Sequence, residues 1–119
     1  MSYQRGDIVL ASLPFSDASG TKVRPALVVQ CDRNNQRLDD VILALITRVT
    51  HRASIEPTQL LIDITTPEGK QSGLLHTSAV KCEHLITLHR RLIQRVIGSL
   101  PATAMQQINT CLKVSLDLP

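Results

Sequence analysis

Two short runs constrain this chain more than anything else in it. "PALVVQ" (Pro25–Gln30) and "VILALIT" (Val41–Thr47) are apolar almost without interruption. Both are shorter than a buried helix needs, and neither alternates, so each predicts a strand covered on both faces. Three more runs bounded by Gly, Pro, Asn and Asp read as strands: Asp7–Leu13, Thr58–Ile64 and Leu74–Leu88. The polar segments between them, "PFSDASGTKVR", "CDRNNQRLDD", "RVTHRASIEP" and "TTPEGKQSG", read as loops and turns. From Pro101 onward the pattern changes. Met105, Ile108, Leu112 and Leu116 recur at spacings of 3, 4 and 4, one stripe of an amphipathic helix with Pro101 suited to its first turn. Several short strands followed by one helix predict a mainly β fold, a small antiparallel barrel with a C-terminal helix packed on it.

Length and composition narrow the function classes. At 119 residues the chain reads as one domain over 1–119, enough to bury about two thirds of its unfolded surface. Tyr3 and Phe15 are its only aromatic residues. The core must therefore be aliphatic, and no aromatic platform is available for stacking bases. A net charge of +3 suits a phosphate-bearing partner without proving one. Cys31, Cys82 and Cys111 are odd in number and widely spaced, which points to reduced thiols, not to a disulfide framework or a zinc site. "MSYQRGD" has no apolar stretch of the kind a secretory signal carries, and no run approaches a membrane span. The expectation is a soluble, cytoplasmic protein with no membrane association.

Three places carry candidate chemistry. Pro25 forces Arg24 toward an extended backbone, so its guanidinium stands at a strand entry as a fork of donors suited to phosphate. A solvated arginine is the simpler reading on chemistry alone. Thr47-Arg48 closes the run "VILALIT" with a hydroxyl and a second guanidinium. Lys81 and Glu83 share one side of a strand with Cys82 opposite. They read either as an acid–base pair or as a surface ion pair of little energetic value. His51, His76, His84 and His89 form no metal-binding spacing, no phosphate loop or nucleophile elbow is present, and "LDD" (Leu38–Asp40) reads as a loop tip.

Taken together, "RGDIVLASLPF", "GTKVRPALVVQ", "VILALIT" and "SAVKCEHLITL…VIGSL" with the helix behind them resemble the MazF/PemK toxins of bacterial toxin–antitoxin systems, over about Arg5 to Leu118. That resemblance implies the SH3-like barrel of these toxins, shared by the CcdB type, and a homodimer. It implies a sequence-selective endoribonuclease, an mRNA interferase, that cuts single-stranded RNA with no metal or other cofactor. The ribose 2′-hydroxyl would attack the adjacent phosphate, leaving a 2′,3′-cyclic phosphate and a 5′-hydroxyl, and a cognate antitoxin would block the RNA groove. Arg24 matches the family's pre-proline arginine at the reacting phosphate, and Thr47 its strand-end threonine. Lys81 and Glu83 match the Arg-Cys-Asp run of the PemK branch, to which acid and base roles belong. Lys22, Arg48 and Arg52 are the candidates for a sequence-independent grip on the RNA backbone. Arg48 and Lys81 depart from the family pattern, and Lys81 lacks the bidentate fork of arginine. Two alternatives stay open: a CcdB-like toxin that binds a protein target such as gyrase, and a degenerate homologue that binds antitoxin or RNA without cutting.

Overall fold

The computed structural model describes residues 2–14 and 20–119. Six strands form one sheet: β1 (Asp7–Pro14), β2 (Thr21–Val28), β3 (Asp40–Thr47), β4 (Gln59–Ile62), β5 (Ser78–His89) and β6 (Ile93–Ser99). Their spatial order is β4-β5-β3-β2-β1-β6, and every neighbouring pair is antiparallel. The described residues also form three helices, α1 (Asp32–Arg37), α2 (Pro67–Gln71) and α3 (Ala102–Leu116), with a 3₁₀ turn over Arg90–Leu92. The segment after α2 packs on β6, where a Cβ on Gly73 or Gly98 would strike the facing backbone, and Gln71 Nε2 donates to Ser99 Oγ at 3.1 Å.

The two non-alternating runs are covered on both faces as expected over most of their length, except that Ile42 near the start of β3 is exposed. In β2, Ala26, Leu27 and Val28 are all fully buried. Leu27 faces one core, with Ile8, Ala44, Ile46, Val80 and Cys82, beneath the α3 residues Ala104, Met105, Ile108 and Cys111. Ala26 and Val28 face a second core with Tyr3, Val9, Ala11, Val41, Leu43, Leu88 and Ile93. The sheet thus has α3 on one side and the second core on the other, a division of layers that aliphatic side chains of similar size can fill.

Several boundaries differ from the sequence reading, each for a physical reason. β2 begins at Thr21, so Pro25 lies inside the strand. It is tolerated because pairing with β3 starts only at Ala26, which leaves β2 an edge strand on that side at Pro25. Of the loop expected between β1 and Pro25, Phe15–Ser19 lie outside the described residues. "DRNNQR" forms α1, whose buried Asn35 exchanges hydrogen bonds with Gln30 at 3.0 and 2.9 Å. "PEGKQ" forms α2, with Thr66 as its N-cap and Pro67 in its first turn. β6 is half exposed, so it carried too little hydrophobic pattern to be read. The C-terminal helix runs as expected, but its buried stripe is Ala104, Met105, Ile108 and Cys111; Leu112 is only half-buried and Leu116 is exposed.

The Arg5-Gly6 pair is a structural clasp. Arg5 donates through Nε to Val29 O at 2.9 Å and through an Nη to Asn109 Oδ1 on α3 at 2.6 Å, while its N–H donates to Asp32 Oδ1 at 2.7 Å. Gly6, at φ 96°, donates to Val28 O and accepts from Leu100 N–H, both at 2.9 Å. The positive-φ Gly6 thus joins the end of β2 to the connection before α3, and Arg5 adds the ties to α1 and α3.

The thiols follow their surroundings. Cys82 and Cys111 are buried between β5 and α3, and Cys31 is exposed. Burial, with smaller contributions from Cys111 and Glu83, pushes the Cys82 thiol up to about 12, and burial also raises Cys111. A disulfide-exchange reagent such as dithiobis-nitrobenzoate at pH 8 should label one thiol of the native protein and three after denaturation. Ile108, fully buried beneath the sheet, should cost about 2–5 kcal/mol when replaced by Ala, read as a lower midpoint in urea unfolding.

Candidate active site

The strand alternation that sends Leu27 toward α3 sends Arg24 and Ala26 to the opposite face. Ala26 pairs with Leu45. Extending that register by two residues brings Arg24 level with Thr47, at the point where both strands run out of apolar cover. Both side chains line a groove of about 920 Å³. Aliphatic side chains that include Leu10, Leu45 and Ile86 line it, with polar groups from Arg24, Thr47, Arg48, His76, Ser78, His84 and Arg95. Arg24 is exposed and donates to Val23 O at 3.4 Å. Thr47 is half-buried, and its Oγ1 accepts from Val49 N–H at 3.1 Å, leaving the hydroxyl hydrogen for another acceptor.

A second, polar pocket of about 620 Å³ opens on the other side of Thr47. Lys81 pairs with Leu45 on one side and with Gln59 on the other. Beyond it the β3–β5 ladder slips: Leu45 faces Lys81 and Ala44 faces Leu85, so Cys82, Glu83 and His84 have no partner on β3. This bulge re-aims side chains. Lys81 and Glu83 line the polar pocket with His51, Arg52, Glu56, Thr58 and Gln59, whereas His84 lines the large groove. The expected sharing of one side by Lys81 and Glu83, with Cys82 buried opposite, therefore holds.

Glu83 is pinned from β4. Its Oε1 accepts from Thr58 Oγ1 at 3.1 Å and its Oε2 from Gln59 Nε2 at 2.8 Å. Burial alone would raise the carboxyl. Hydrogen bonds from Gln59, the backbone and Thr58, with the field of Lys81, outweigh burial and hold it below the usual glutamate range. Lys81 acts on it through its field, and no direct Lys81–Glu83 hydrogen bond or ion pair occurs among the described residues. Gln59 is 8% exposed, and its Oε1 has no donor among the described residues. A buried acceptor left unmet costs about 1–3 kcal/mol.

The chain from residue 4 to 116 matches the family model described as PemK-like, MazF-like toxin of type II toxin-antitoxin system. The chain belongs to this family. Among solved structures it is similar to an endoribonuclease from a mycobacterial species, at 25% identity and a TM-score of 0.76, covering 100% of this chain and 95% of that one. It is equally similar to the Mycobacterium tuberculosis toxin MazF-mt6, at 25% identity and a TM-score of 0.76, over 95% of this chain and 98% of that one. The MazE–MazF assembly of Deinococcus radiodurans shares the fold at 18% identity and a TM-score of 0.74, with both chains covered completely. The six-stranded antiparallel sheet with its C-terminal helix is thus the MazF-type toxin fold.

Within this family fold, the candidates read from sequence divide into groups. Arg24, Thr47 and Arg48 meet in the large groove; Lys81, Glu83 and Arg52 meet in the polar pocket; Thr47 borders both. Lys22 is exposed on β2 and lines neither. Sequence reasoning missed His76, His84 and Arg95 in the groove and the Thr58–Gln59 pair behind Glu83. The histidines had no spacing to mark them, and His84 faces the groove only because of the bulge. Arg95 sits on the unread strand β6. No helix among the described residues is long and apolar enough to cross a membrane.

Proposed function

We propose that this toxin is a sequence-selective endoribonuclease, an mRNA interferase, that cuts single-stranded RNA without metal or other cofactor. The observation that carries this reading is the convergence of Arg24 and Thr47 on one groove, level across β2 and β3, with an ionised carboxylate beyond Thr47. The family description and the endoribonuclease neighbour at 25% identity support it.

The scissile phosphate lies between Arg24 and Thr47, where the threonine hydroxyl donates to a non-bridging oxygen. The 2′-oxygen on the polar-pocket side attacks phosphorus and gives its proton to Glu83. The phosphorus–O5′ bond then breaks on the groove side, in line with the attack. Arg24 neutralises the growing charge on the phosphorane and on the departing 5′-oxygen, which takes its proton from water. The products are a 2′,3′-cyclic phosphate and a 5′-hydroxyl. Arg24 cannot itself give up a proton near neutrality, so its contribution is electrostatic stabilisation. Lys81 adds positive charge beside the attacking ribose. Arg48 and Arg52 grip the RNA backbone on either side of the cut, and Lys22 extends that charge along β2. The chain acts as a single domain, paired as a homodimer in the cytoplasm, and its cognate antitoxin inhibits it by filling the groove.

Incubation with a long single-stranded RNA in EDTA, followed by mapping of 5′ ends, tests the activity directly. Cuts should recur at one short motif. Arg24→Ala should slow them about 100-fold or more, and Glu83→Gln at least about 100-fold if the carboxylate takes the proton. Intact RNA with folded wild-type protein would leave the degenerate homologue as the better reading. Growth arrest that survives Arg24→Ala but fails when α3 is shortened would indicate a protein target of the gyrase kind. RNA affinity should fall with added salt by about 0.7 in log K per phosphate contacted, per unit of log salt. Charge removal at Arg48 or Arg52 should lower that slope in a filter-binding titration.

A further inference from the structure

Gln59 presents an anomaly that fold stability does not explain. Its side chain is nine-tenths buried, yet its amide oxygen meets no donor among the described residues. Turning the amide over would not help: the oxygen would then face the Glu83 carboxylate, acceptor against acceptor, and lose the 2.8 Å bond from Nε2. The orphaned oxygen follows from the amide's having to offer its hydrogens to Glu83. Thr58, one residue earlier, donates its hydroxyl to the other carboxylate oxygen. Glu83 lies on the unpaired bulge of β5, where β3 supplies nothing to hold it. Its neighbours on β4 do so instead, and the pairing of Gln59 with Lys81 sets their register.

We infer that Gln59 and Thr58 are positioning residues of the cleavage reaction, holding the Glu83 carboxylate in one orientation and in its charged form beside Thr47. The inference rests on the proposed role of Glu83 as proton acceptor. Each carboxylate oxygen keeps a lone pair beyond the one these donors use, so the group is fixed without being saturated. Lys81, on its own strand, acts on it through its charge, and His51, Arg52 and Glu56 from the β3–β4 connection line the same pocket. The buried Cys82 and Cys111 beneath are neutral, their thiols raised by burial. Two donors to the ionised form lower a carboxyl's pKa, so their loss raises it, and the rate then fails at a higher pH on the acid side.

The test uses full-length Gln59→Leu and Thr58→Val, with Gln59→Asn as a milder variant should the first not fold. The Glu83 side-chain carboxyl is titrated by carbon-13 NMR, and kcat/KM for a short RNA is measured from pH 4 to 8. The expected result is a Glu83 titration shifted upward in Gln59→Leu, with the acid limb of the rate profile shifted by the same amount. Thermal unfolding checks that each variant is folded, since losing the bond to the Glu83 carboxylate and losing the orphaned oxygen act on stability in opposite directions. A carboxyl that titrates as in wild type, or an acid limb that stays put while the carboxyl moves, would overturn the inference. Glu83→Gln separates the two levels. If it cleaves at the wild-type rate, the assignment of Glu83 as proton acceptor fails and the positioning role with it. If it is inactive while Gln59→Leu leaves titration and profile unchanged, only the role of Gln59 fails.

Discussion

β2 and β3 lie side by side in the middle of the sheet, and where they pair, at Ala26–Val28 against Leu43–Leu45, both are covered on both faces. Polar side chains have no place along their central stretch, because an unmet buried polar group costs more than the packing around it returns. They can stand only where cover ends. On β2 that point is Arg24, just before pairing with β3 begins at Ala26; on β3 it is Thr47, the last residue of the strand. A two-sided core thus concentrates the exposed polar groups of its central strands at one rim, and the candidate site sits there.

Other features keep that rim in place. Arg5 and Gly6 tie the start of β1 to β2, α1 and α3, so the layer beneath the site cannot shift against the helix. The contact of the α2–β5 connection with β6 supplies a wall of the groove. The conspicuous Arg-Gly-Asp opening of the chain therefore serves the scaffold. Asp7 accepts the Gln4 N–H at 2.8 Å and takes no part in the site.

Around Thr47 the structure separates two electrostatic environments within a few residues. The groove carries arginines and histidines among aliphatic side chains, and the polar pocket carries a fixed carboxylate with cations around it. A displacement at phosphorus needs charge stabilisation on one side and a proton acceptor on the other, and the β5 bulge is what parts the two. Without it, alternation would keep Lys81 and Glu83 together but would leave the groove without His84.

The sequence by itself determined the central strands, because runs without alternation can only be two-sided, and the C-terminal helix, because its apolar spacing has the helical period. It also marked Arg24, since proline restricts the residue before it, and Thr47, as the polar end of an apolar run. Only the tertiary structure decided the rest. β6 draws its burial from β1, distant in the chain, and α1 and α2 are short helices whose only buried residues are Asn35 and Gly69, so none of the three had a strong apolar pattern. The bulge at Cys82–His84 depends on how β5 pairs with β3, and no local signal announces such a slip. The hold of Thr58 and Gln59 on Glu83 joins residues about two dozen positions apart. Hydrogen bonds between side chains at that separation exist only once the sheet has brought them together.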